Sequence, residues 1–168
     1  TEFKKLSPFC KTPVIIDHEK NISMFESGAI LMYLGEKSGK FYNKDQRNII
    51  NQWLMGQMAY VGPMLGQHHQ FHHYNPGKSK FGEDRYFNIS ERIYKELDAR
   101  LSVTKFLAGK DYTIADIATF PWIARHEWHD IGLKKHLNLT RWYEEIAQRE
   151  AVQKGYDILS TGEIIPEA

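Results

Sequence analysis

At 168 residues the chain supports one ordinary domain, or two small ones sharing an interface, and its 42% apolar content is enough for a substantial core. Lys and Arg (22) nearly balance Asp and Glu (21), so a net charge of +1 makes no electrostatic case for nucleic acid. No apolar run reaches the roughly 18 residues that a membrane-spanning helix needs, and the single cysteine, Cys10, fits a reducing compartment, the cytoplasm.

The first elements read as strands. Pro13-Val14-Ile15-Ile16-Asp17 and Ile22-Ser23-Met24-Phe25 are apolar and rich in β-branched residues, and His18-Glu19-Lys20-Asn21 between them is a polar turn. This is a hairpin. A helix follows from Ser27 to Lys37, with Ile30, Leu31 and Leu34 at helical spacing and Gly39 as its stop.

From Lys44 to about Tyr74 the spacing of Ile49, Ile50, Trp53, Leu54, Met58, Val61 and Leu65 predicts one long helix, kinked at Gly62-Pro63. Asn75-Pro76-Gly77 reads as a loop, and Tyr86, Ile89, Ile93, Leu97 and Leu101 form the apolar face of another helix. Thr113, Asn138 and Glu150 lie near the starts of shorter helices. At the first of these, Thr113 fits an N-cap and Asp116 its N3 partner, with Tyr112 placed to staple onto Ile117. That motif reads as structural.

A lone two-stranded hairpin is marginal in water and leaves an unpaired edge. The expectation is therefore that a βαβ-type unit of roughly 30 or more residues precedes Thr1.

Two short stretches could form a site. Lys11-Thr12-Pro13 leads into the first strand; the plain reading is a proline at a strand's start, and the alternative is a cis Thr12–Pro13 bond. In the latter case the Thr12 backbone N–H and C=O could hold an extended peptide. Glu26-Ser27 opens the next helix and, taken alone, is a capping pair. Beside Thr12 it gains a second reading. A helix N-terminus and the Ser27 hydroxyl attract a carboxylate, while Glu26 attracts an ammonium, which together suit an α-amino-acid head group.

The eight histidines are the one unusual count, and His68, His69, His72 and His73 form two i, i+4 pairs. Such spacing can chelate zinc, but no acid completes the set, so a polar helix end is the default and no metal is expected. Tyr60, Met64, Gln67, His68, Phe71, Trp122 and Trp128 are candidates for an apolar acceptor wall, although aromatic residues at helical spacing are usually core.

A proline-led strand, a hairpin, the Glu26-Ser27-Gly28-Ala29-Ile30 helix start and Thr113-Ile114-Ala115-Asp116 together resemble the glutathione S-transferase superfamily. Gly62-Pro63-Met64-Leu65-Gly66-Gln67, Phe71, Asp84-Arg85-Tyr86 and Arg149 to Gly155 narrow this to its nu-class and nitrogen-regulator-like, disulfide-reducing branch, where relatives usually carry proline at the position of Glu150. The resemblance implies an α+β two-domain fold. Residues 1–40 would be the C-terminal half of a thioredoxin-like domain and residues 44–168 an all-helical domain. It also implies a homodimer.

Carried over by position, Thr12 and Pro13 meet the cysteinyl part of glutathione and Glu26 with Ser27 its γ-glutamyl head, while Lys11 and Arg85 add polar contacts. The thiol-activating residue of the family falls before Thr1, and neither Ser7 nor Cys10 replaces it. The implied activity uses the glutathione thiolate on an electrophile (transferase) or on a disulfide (reductase), with these 168 residues alone weakly active or inactive. The rival reading is a non-catalytic glutathione-binding regulatory module.

Overall fold

The computed structural model describes all 168 residues, Thr1–Ala168. A five-residue helix, α1 (Glu2–Leu6), comes first, its amide at Lys4 accepted by the Thr1 side chain. It is too short for any hydrophobic period to announce it. The hairpin then forms where the two β-branched runs place it: β1 (Val14–Asp17) pairs antiparallel with β2 (Ile22–Phe25), with Val14 opposite Phe25 and Asp17 opposite Ile22. The sheet has these two strands only, so the outer edge of β1 carries no partner.

Asp17 ties the hairpin to the helix that covers it. One carboxylate oxygen accepts the amides of Glu19 (2.9 Å) and Lys20 (3.1 Å), closing the turn. The other receives the Tyr33 hydroxyl and the Lys37 ammonium from α2 (Ser27–Ser38). Lys37 and Tyr33 hold this carboxyl well below the usual carboxylate range. Helix α2 stops at Gly39, where φ is +68°, a value that glycine adopts without steric cost.

The segment after α2 is fastened to the helical part. The Phe41 carbonyl accepts the Ile114 amide (3.0 Å), and the buried Tyr42 donates its hydroxyl to Asn51 (2.8 Å). A 3-10 turn at Lys44–Gln46 leads into α3 (Arg47–Gly56), a π turn at Gln57–Val61, α4 (Gly62–His68) and a second π turn at His69–Tyr74. The expected single helix is thus a composite. Its first π turn ends at Val61, so Pro63 follows directly on a stretch where the regular α-helical hydrogen-bond ladder is already altered.

Helix α5 (Lys80–Val103) starts earlier than its apolar face predicts, because Ser79 caps the Gly82 amide (3.1 Å). Ile93, Leu97 and Leu101 from its apolar stripe are buried. The central helix α6 (Ile114–Ile123) carries the full Thr113–Asp116 capping box. Asp116 does more than cap. It also accepts from the Leu107 amide (2.9 Å) and the Trp142 indole (2.9 Å), joining a loop and α7 (Leu137–Ala147) to the core. The start of α7 is capped from elsewhere: Asp98, on α5, accepts the amides of Asn138 (2.8 Å) and Leu139 (2.9 Å). Helix α8 (Glu150–Tyr156) closes the series. Leu65, Tyr94, Ile123, Leu139, Trp142, Tyr143 and Ile146 are completely enclosed at the centre of this helical part.

Candidate functional site

The loop between α1 and β1 is shaped by a buried hydroxyl. Ser7 donates to the Lys11 carbonyl (2.8 Å) and accepts from the Lys11 amide (3.0 Å), so its oxygen is committed to holding the loop. Cys10, exposed, sits at the tip with φ of +53°. The chain then enters β1 through a cis Thr12–Pro13 bond. The backbone N–H and C=O of Thr12 make no hydrogen bond within the protein.

At the same end of the hairpin, where β2 leaves it beside the start of β1, Glu26 joins β2 to α2 with φ of +69° and ψ of 112°. A non-glycine residue held there costs on the order of 1–3 kcal/mol, and such strain gathers at functional positions. The capping reading of Glu26-Ser27 is not what the geometry shows. Glu26 makes no capping hydrogen bond, and the Ser27 hydroxyl points instead at the Met58 sulfur, 3.8 Å away. No side chain therefore caps the first turn of α2.

These two segments meet. Ser7, Phe9, Lys11, Thr12, Pro13, Phe25, Glu26 and Ser27 line one small cavity of about 80 Å³. Phe9 packs edge-on against Phe25 as one apolar wall (6.3 Å between centroids). Opposite charges, Lys11 and Glu26, flank an uncapped helix start and a free peptide unit. That combination can hold a zwitterionic head with an extended peptide behind it. Arg85 is not among the lining residues: it lies exposed on α5, with its guanidinium 5.9 Å from the Tyr86 ring.

The acceptor-wall candidates are not brought together in the same way. Tyr60 and Gln67 are exposed, and Met64 packs partly buried against the helical core. Phe71 stacks on Tyr86 (5.3 Å) and covers Gly82, where a Cβ would lie 2.5 Å from its ring. Trp122 fills the space beside Gly62 and Gly66 and stacks on His69 (6.1 Å). Trp128 stacks on His73 (4.3 Å) with the Arg125 guanidinium 4.5 Å from its ring. His68 is wholly enclosed, its Nε2 2.9 Å from the His129 carbonyl.

His68, His69 and His129 form a buried network, and no group of three or more His, Cys, Asp or Glu is placed to hold a metal. Tyr94 and His129 Nδ1 are 2.6 Å apart, and His129 Nε2 lies 2.7 Å from His69 Nε2. The arrangement that satisfies each group has Tyr94 donating to Nδ1 and the His129 Nε2–H donating to His69. Burial, reinforced by the neighbouring histidines, pushes His129 down to about 2 and His69 to about 4.

Sequence reasoning missed Phe9, Phe25 and Met58. Nothing in the local pattern marks Met58 as a neighbour of Ser27, since 31 residues separate them.

The profile of the glutathione S-transferase C-terminal domain matches residues 65–150. The disulfide-bond oxidoreductase YfcG of Escherichia coli is 40% identical over 157 residues, an alignment covering 89% of this chain and 73% of that protein. The chain belongs to the glutathione S-transferase family. A second E. coli member, the disulfide-bond oxidoreductase YghU, is 36% identical, and the match spans 91% of this chain but 57% of its length. A crystallised glutathione transferase from Burkholderia graminis, with two glutathione molecules bound per subunit, superposes with a TM-score of 0.88 at 36% identity, over 96% of this chain and 72% of that one. The hairpin, α2 and the helices that follow are thus a glutathione transferase fold: a small thioredoxin-like part joined to an all-helical part.

Proposed function

We propose that this family member binds glutathione in the cavity between Lys11–Pro13 and Glu26–Ser27 and delivers its thiolate to a disulfide or an electrophile. The uncapped start of α2 and the Ser27 hydroxyl take the γ-glutamyl carboxylate, and Glu26 takes the adjacent ammonium. The unpaired peptide groups of Thr12 take the cysteinyl backbone in strand-like fashion, after Pro13 has turned the chain. Lys11 adds a polar contact at the other end of the tripeptide. Arg85 is assigned a further contact by family resemblance alone. The observation that carries this reading is the convergence of Thr12 and the uncapped Glu26–Ser27 turn on one cavity.

Of the two chemistries, disulfide reduction is favoured by the resemblance to YfcG and YghU. A glutathione thiolate attacks one sulfur of the substrate, the S–S bond breaks, and the leaving thiolate takes up a proton. A second glutathione resolves the mixed disulfide, so the two electrons come from two glutathione molecules. A free thiol has a pKa of about 8.5, and lowering it by two units takes about 2.7 kcal/mol of anion stabilisation. Ser7 is not the source, because both its hydrogen-bonding roles are used on Lys11. The proposed assembly is a homodimer.

Supplying the full-length protein and glutathione with either 2-hydroxyethyl disulfide or 1-chloro-2,4-dinitrobenzene, and identifying the products, tests the assignment. Glutathione disulfide as the main product supports the reductase, and a dinitrophenyl thioether supports the transferase. Glutathione binding with neither product supports the regulatory module.

A further inference from the structure

The Ser27 hydroxyl has one partner in the protein, the Met58 sulfur at 3.8 Å. Met58 stands in the π turn Gln57–Val61, an irregularity of the kind that recurs at functional sites. It is pressed against the first turn of α2. A Cβ built on Gly28 would lie 3.1 Å from Met58 Cγ, 3.2 Å from Sδ and 3.3 Å from Cε. The helix start and this side chain are therefore in tight contact, and a methyl added at Gly28 would need Met58 to give by a few tenths of an ångström. Met58 is half-buried rather than enclosed in the core.

We propose that Met58 is the positioning residue for the Ser27 hydroxyl, and that oxidation of its sulfur by a peroxide closes the glutathione site. This rests on the glutathione reading above. In the reduced state the thioether is a weak acceptor, which orients the hydroxyl yet yields it to a carboxylate. Hydrogen peroxide transfers one oxygen atom to a sulfur lone pair. Its O–O bond breaks, the thioether loses two electrons to become the sulfoxide, and the peroxide leaves as water. The new oxygen is a strong acceptor within reach of Ser27, so it captures the O–H that the ligand needs. It also enlarges a side chain already packed tightly against Gly28 in the first turn of α2. The switch is reversible by methionine sulfoxide reductases.

Calorimetric titration with reduced glutathione tests this in a Cys10→Ser background, which removes the only thiol. Wild-type Met58, Met58→Leu and Ser27→Ala proteins are each titrated before and after hydrogen peroxide, with sulfoxide at position 58 followed by peptide mass spectrometry. The four other methionines are common to all three. The expected result is at least a tenfold loss of affinity in the Met58 protein, recovered by methionine sulfoxide reductase. Met58→Leu should bind somewhat more weakly than its parent at the outset and then show no response to peroxide. Ser27→Ala, with no hydroxyl to capture, should lose less than the parent does, a difference that general unfolding around an oxidised core would not produce. Complete sulfoxide formation at Met58 with unchanged affinity overturns the proposal, as does an equal loss in Met58→Leu or a Met58 that resists peroxide. Failure of the untreated protein to bind overturns the glutathione reading itself, and is told apart because it precedes oxidation.

Discussion

Lowering the pH should destabilise this protein through its buried histidines before its carboxylates matter. His69 and His129 face each other Nε2 to Nε2 at 2.7 Å, a geometry that accommodates one proton between them. Protonating His69 at Nε2 sets two N–H groups against each other inside the core, and protonating His129 at Nδ1 sets an N–H against the Tyr94 hydroxyl. Both folded-state pKa values lie below the ordinary histidine value, at about 4 for His69 and about 2 for His129, with burial as the first cause. The sign follows: between those values and about 6.5 the unfolded chain binds more protons, so the stabilisation is complete above about 6.5 and declines as pH falls. From pH 7 to pH 5 each ring kept neutral forfeits about 1.9 kcal/mol, and the pair roughly 3–4 kcal/mol, against a total stability of about 5–15 kcal/mol. Carboxylates titrate in the unfolded chain near about 4, so the window from pH 5 to 6.5 isolates the histidines. Urea unfolding monitored by tryptophan fluorescence at half-unit steps across that window gives the slope. A His69→Phe/His129→Phe protein should show a slope smaller by up to about 2.7 kcal/mol per pH unit, two protons' worth. Equal slopes in the two proteins would refute the reasoning.

Two other expectations follow from single side chains. Asp116→Ala leaves the Leu107 amide, the Thr113 amide and the Trp142 indole without their acceptor, so a loss of roughly 3 kcal/mol or more is expected in urea unfolding. A loss below about 1 kcal/mol would mean that water replaces the carboxylate. Glu26→Gly should move stability and binding in opposite directions. Relief of the positive φ raises the unfolding free energy by up to about 1–3 kcal/mol less glycine's entropic cost, while the lost carboxylate weakens glutathione binding in a titration.

What could be read in advance was local. The β-branched runs on either side of His18–Asn21 specified the hairpin, and Thr113 with Asp116 announced the start of α6, because each signal lies within a few residues of what it controls. Gly39 marked the end of α2 for the same reason. Long-range partners were not legible. Asp98 caps a helix that starts about 40 residues later, and His129 completes a network whose other ring, His69, is 60 residues away. The run of histidines therefore looked like a polar helix end, whereas His68 and His69 are buried among aromatic rings. Glu26-Ser27 was ambiguous in principle, since a cap and a binding turn share residue types. Only the backbone at Glu26 and the direction of the Ser27 hydroxyl separate them. Arg85, carried over by resemblance, stands outside the cavity that the other five line.

The central claim is that the start of α2 grips an amino-acid head group, and calorimetric titration of glutathione into the protein and its Ser27→Ala and Glu26→Gln variants tests it most directly. A contact to a charged head group is worth about 1.5–3 kcal/mol, so each replacement should weaken binding by roughly ten- to 150-fold while leaving the thermal midpoint nearly unchanged. Affinity unaltered by either replacement would contradict the account and leave Glu26 and Ser27 as structural residues.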